Sequence, residues 1–164
     1  MIYRSLPFWV FLLWGMDLLL MALMPAARLL VDPLFLLLAF LGFRSSPHRL
    51  LWLQGAGLGL LKDFSTGALM GGWACAFALM GALLGAGSRF VEAEDPLIVG
   101  VWVALFSLVT AAAYALLLSL ADPYLQGFRL PWLWFPFSMA AQGGLAAWGF
   151  PRLRRVLRAR PALF

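Results

Sequence analysis

The ionisable groups of this 164-residue chain reduce to seven acids, eleven arginines, Lys62, His48, Cys75 and three tyrosines. One cysteine and one histidine exclude a disulfide framework and any zinc site built within the chain. The acids cluster once, at Glu92-Ala93-Glu94-Asp95 directly before Pro96, where negative charge suits the start of a helix. Intramembrane aspartyl proteolysis needs acids in Tyr-Asp and Gly-x-Gly-Asp contexts, and neither occurs. A membrane serine protease needs Gly-x-Ser-x-Gly and a helical histidine, whereas His48 follows Pro47. Metal-dependent lipid transfer needs several clustered acids beyond those of the helix start. The expectation is a protein that is not an enzyme and holds no metal or cofactor.

Three other groups of residues stand out. Gly59, Asp63, Gly67 and Gly71 recur every four residues, and Gly81 and Gly85 continue the habit. On a helix that spacing is a smooth stripe that lets another backbone approach closely in lipid. Asp63, with Lys62, Ser65 and Thr66 beside it, reads either as the cap of an external turn or as a contact for a partner. Asp17 interrupts an apolar run whose residues at helical spacing, Leu13, Trp14, Leu20 and Met21, offer at most an indole donor. An acid there is either packed between helices or paired with a polar residue of another subunit. Gln142 is the one amide of the last apolar run. Finally, Arg152, Arg154, Arg155, Arg158 and Arg160 surround Leu153, Val156 and Leu157. That pattern makes a short interfacial stripe suited to anionic lipid, and equally a topology anchor or a docking point for an acidic partner.

The elements that must carry these groups follow from composition. Residues are 64% hydrophobic and 12% charged, with mean hydropathy +0.93. Soluble domains average about 25% charged, so the chain reads as an all-α integral membrane protein. Charges are absent over 25 residues at 64–88, 26 at 96–121 and 22 at 130–151, each enough for a span. The first segment, about 6–24, carries only Asp17 and reads as a retained span rather than a cleaved leader. The apolar stretch from Pro33 to Leu61 is interrupted by Arg44-Ser-Ser-Pro-His-Arg49, and its two short halves are expected to be tilted, shielded by neighbours or only partly spanning. The result is one domain, residues 1–164, of six transmembrane helices at about 6–24, 29–43, 49–62, 67–88, 96–120 and 130–150. A basic cytoplasmic tail occupies 151–164.

Local chemistry agrees with those borders. Asp32-Pro33, Ser46-Pro47 and Asp95-Pro96 each put a capping residue before a proline that opens a helix. Trp9, Tyr124, Trp132 and Trp134 fall near span ends, at the headgroup level. Arg4, Arg44, Arg49, Arg89 and the five tail arginines make nine basic residues on one side, against Arg28, Lys62 and Arg129 on the other. Nine against three places both termini in the cytoplasm, and the basic balance implies no nucleic-acid partner.

The G-x-x-x-D-x-x-x-G-x-x-x-G stretch from Gly59 to Gly71 resembles the signature of the MreD family of bacterial rod-shape-determining proteins. The resemblance runs back through Asp32-Pro33-Leu-Phe-Leu-Leu-Leu and Pro47-His48-Arg49, and forward to Gln142 and the arginine-rich tail. Lys62 before the acid and glutamine at 142 depart from the commoner pattern. The resemblance implies a non-catalytic scaffold of the cell-elongation machinery in the bacterial inner membrane. It implies binding to the single-pass protein MreC, with indirect links to MreB, RodA and a class B penicillin-binding protein that support peptidoglycan synthesis. It also implies a fold similar to the substrate-binding subunit of energy-coupling-factor transporters. Such a vitamin-binding subunit is the alternative function, although Asp17, Gln54, Asp63, Ser107, Thr110, Ser119, Ser138 and Gln142 are few polar groups for a vitamin pocket.

Overall fold

Proline follows a capping acid at two helix starts, and both acids do what that order predicts. Asp32 accepts the Phe35 N–H through Oδ1 at 3.1 Å, and its carbonyl takes the Leu36 N–H at 3.0 Å. Asp95 accepts the Leu97 N–H at 2.8 Å. The computed structural model describes residues 2–23, 31–44, 50–66, 70–87, 95–121 and 135–159. Among them the chain is all-helical: α1 (Ile2–Leu23), α2 (Pro33–Arg44), α3 (Leu51–Thr66), α4 (Gly72–Gly87), α5 (Pro96–Ala121) and α6 (Phe135–Ala159). Ser46-Pro47, Tyr124, Trp132 and Trp134 lie outside the described residues.

One of the six helices is long and apolar enough to cross a membrane. It is α5, whose apolar window Pro96–Leu117 has 22 residues. At 1.5 Å per residue that is about 33 Å, against a bilayer core of about 30 Å. The apolar stretches Pro7–Leu20 of α1, Pro33–Phe43 of α2 and Gly72–Gly87 of α4 are shorter.

The short second helix is the hub. Leu34, Phe35, Leu38, Ala39, Phe40, Leu41 and Phe43 of α2 are all buried, so this helix is enclosed on nearly every side, as apolarity all round its surface requires. It packs on α1, α3, α4, α5 and α6. Edge-to-face contacts fix it: Phe35 on Phe77 of α4 at 6.3 Å, and Phe40 on Phe150 of α6 at 5.2 Å between ring centroids. Of the three expectations for this segment, shielding by neighbours describes it. Around α2 stand two tight pairs, α3 with α4 and α5 with α6. In the second pair a Cβ on Gly100 would lie 2.9 Å from the Gly143 carbonyl oxygen, and one on Gly143 would lie 2.7 Å from that of Gly100. Neither glycine tolerates a side chain at that separation.

The boundary expected at 150/151 falls inside a helix. α6 continues through Pro151 to Ala159, although a proline there deprives the Ala147 carbonyl of its usual donor. Beside it Arg152 stacks its guanidinium over the Trp148 ring at 3.9 Å and donates to the Trp148 carbonyl at 3.4 Å. The first arginines of the tail therefore continue the last helix rather than forming a separate segment.

Candidate functional site

The four-residue spacing on α3 is consumed within the chain. Buried positions Leu51, Gly55, Gly59 and Asp63 step along α3 once per turn, while Trp73, Phe77 and Gly81 step back along α4. A Cβ on Gly55 would overlap the Phe77 carbonyl, one on Gly59 the Trp73 carbonyl and Ala74 Cα, and one on Gly81 the Leu51 carbonyl. The two backbones are thus in direct contact over about three turns, the antiparallel counterpart of a small-residue seam between separate membrane helices.

Asp63 ends the seam. Its side chain is buried, and the carboxylate accepts three backbone N–H groups: Gly71 at 2.9 Å, Trp73 at 3.0 Å and Ala74 at 3.2 Å. These are donors at the start of α4 that the helix cannot satisfy itself. Of the two readings of Asp63, the cap is what its contacts show, but it closes the start of α4, and Lys62–Thr66 is helical rather than a turn. α3 runs to Thr66, and Ser65 and Thr66 donate back to the Leu61 and Lys62 carbonyls, each at 3.0 Å. Both hydroxyls are thereby satisfied inside the helix, by carbonyls one turn back.

Gly71 does not belong to the close-packing stripe. Its φ is +93° and nothing lies within 4 Å of a Cβ built there. It is required for its left-handed backbone, which turns the Gly71 N–H toward Asp63. Gly81 is a close-packing position, Gly85 is buried, and Gly67 lies outside the described residues.

Lys62 points into the bundle beside this cap. It forms a buried ion pair with Asp32, the acid that caps α2. Its Nζ also lies 4.2 Å from the centroid of Trp73 and 5.5 Å from that of Phe77, near enough for the ring faces to attract the ammonium. Trp73 in turn stacks on Tyr114 of α5, 3.9 Å between centroids and 11° between planes. One end of the molecule therefore ties together the start of α2, the end of α3, the start of α4 and the side of α5. Lys62 is the centre of that knot.

The remaining candidates lie elsewhere. Asp17 is fully buried in α1, and neither carboxyl oxygen has a hydrogen-bond partner among the described residues. The neighbouring indole, Trp14 Nε1, donates to Ser65 Oγ at 2.6 Å instead. Gln142 is buried in α6, where its amide donates to Ser138 at 3.2 Å while Oε1 has no partner among the described residues. Arg152 is exposed, Arg154, Arg155 and Arg158 fall within the final helix, and Arg160 lies outside the described residues. The structure brings Gly59, Asp63 and Gly71 together, and among the described residues no hydrogen bond or ion pair joins Asp17, Gln142 or Arg152 to them.

Four relationships escape a reading of the sequence. Gly55 extends the seam one turn before Gly59, and its i+4 spacing is the signal that could have found it. The Gly100–Gly143 contact, the Asp32–Lys62 pair and the Trp14–Ser65 bond link distant segments and leave no local signature. Among the described residues no group of three or more His, Cys, Asp or Glu side chains could hold a metal ion. Comparison of the chain with protein-family models, curated proteins and solved structures finds no match.

Proposed function

We propose that the chain is a non-catalytic membrane scaffold of the bacterial cell-elongation machinery, resembling MreD, which binds a single-pass partner resembling MreC. In this reading all six helices lie in the inner membrane, with α2 shielded inside the bundle and both termini in the cytoplasm. Links to MreB, RodA and a class B penicillin-binding protein pass through that partner. The observation that carries the reading is the use made of the signature residues. Gly59 and Asp63 close one helix pair onto another backbone, and the acid satisfies helix ends. Those are roles in building a rigid helical surface.

The outer surface supports the same reading. Phe8, Phe11, Leu19 and Leu23 of α1, and Leu97, Val101, Leu116 and Leu120 of α5, are all more than half exposed. Apolar surface of this extent suits lipid and other membrane helices. The test is co-expression and purification in mild detergent. Stable recovery with an MreC-like partner is expected. Recovery with a transporter's ATP-hydrolysing module, or tight binding of a vitamin by the isolated chain, would establish the transporter reading instead.

A further inference from the structure

Among the described residues three acids are buried, and two are fully used. Asp63 takes three backbone N–H groups, and Asp32 takes the Phe35 N–H and pairs with Lys62. Asp17 is the exception: fully buried, with both carboxyl oxygens lacking a partner among the described residues. Trp14, three residues before Asp17 on α1, donates its indole N–H to Ser65 instead. A buried carboxyl with no partner destabilises the state that buries it, and within an apolar segment such an acid marks a functional contact.

Its place in the fold indicates which contact. α1 rests on α2 and more lightly on α3. Val10, Leu13 and Trp14 face that seam with Asp17, while Phe8, Phe11 and Leu19 face outward. Among the described residues the seam is therefore the one helix–helix boundary whose closure leaves a carboxyl unsatisfied, and opening it is correspondingly easy. We propose that the α1 seam is a docking seat for a foreign membrane helix carrying one basic side chain, with Asp17 as the acceptor of that side chain. Charge complementarity selects the occupant. A lysine or arginine buried in lipid needs an acid as much as this acid needs a donor, and each removes the other's penalty. The proposal deepens the scaffold reading by naming the chemistry of the partner helix, and it rests on that reading only in taking the partner to be a membrane helix.

The test uses the full-length chain in phosphatidylcholine vesicles, with a donor dye on Cys75, its one cysteine, which is exposed. Three synthetic leucine-rich transmembrane peptides carry the acceptor dye: one with a single lysine at the depth of Asp17, one with glutamate there, and one all-leucine. The lysine peptide is expected to associate about ten-fold more tightly than the all-leucine peptide, the scale of one polar pair between membrane helices. The glutamate peptide should gain nothing. In Asp17→Ala the lysine advantage should vanish while the isolated chain unfolds at the same temperature or higher, and Asp17→Asn, which keeps the shape, should also lose most of it. Equal association of all three peptides would overturn the proposal. So would a lysine advantage that survives both substitutions, or a lowered unfolding temperature in both, which would show that the acid has an internal partner. Failure here leaves recovery of an MreC-like partner untouched, so the two readings fail separately.

Discussion

The Asp63 carboxylate accepts the Gly71 N–H at 2.9 Å, so that the last turn of α3 closes the first turn of α4. The contact needs both residues as they are. The acid supplies two acceptor oxygens to three donors, and the glycine supplies a backbone at φ +93° that other residues rarely adopt.

Removing the acceptor should therefore be expensive. Asp63→Ala strands part-buried N–H groups at the start of α4, a loss of about 1–3 kcal/mol. Asp63→Asn keeps one carbonyl oxygen and should lose less. Thermal unfolding of the purified chain in detergent measures the order wild type, Asn, Ala. An Ala variant as stable as wild type would mean that the cap contributes nothing.

Much of this was legible from the residues alone, and the limit has a physical form. Asp32-Pro33 and Asp95-Pro96 encode helix starts because capping and proline geometry are local. Gly59 and Gly81 announced close packing through their spacing. Gly71 shares that spacing but serves another end, because periodicity counts positions and carries no information on φ. Lys62 looked like part of an external turn, since its partner Asp32 is 30 residues away and only the packing of α2 against α3 brings them together. The second helix looked too short to span and proves to be the enclosed centre, a property of its neighbours rather than of its own sequence.

The glycines of the α3–α4 region should separate by substitution. Gly59→Ala forces a Cβ into the α4 backbone and should destabilise the chain by about 1–3 kcal/mol or more, as overpacking does. Gly57, two residues away with nothing within 4 Å of its Cβ position, should accept alanine and gain up to about 1 kcal/mol of helix propensity. Gly71→Ala meets no atom, yet should lose about 1–2 kcal/mol to its left-handed backbone. Equal unfolding temperatures for the three variants would contradict the seam.

The Lys62–Asp32 pair should be strongly non-additive. Lys62→Met alone leaves a buried acid without its cation, and Asp32→Asn alone leaves a buried ammonium without its acid. Each should lose about 3–5 kcal/mol. The double variant should lose much less than the two together, because it buries no lone charge. A double-mutant cycle on unfolding free energies reads the coupling, and additive losses would mean that the two groups do not share one site.

We propose that this chain acts by recognising a membrane helix, and an experiment that changes that helix alone tests it. The MreC-like partner is co-expressed with its soluble part intact and its membrane segment replaced by an unrelated apolar helix of the same length. Recovery of the partner with this chain in mild detergent is then measured. Recovery with the native segment and its loss with the replacement are expected. Equal recovery with both would place the interaction outside the membrane helix and overturn helix recognition as the role of this chain.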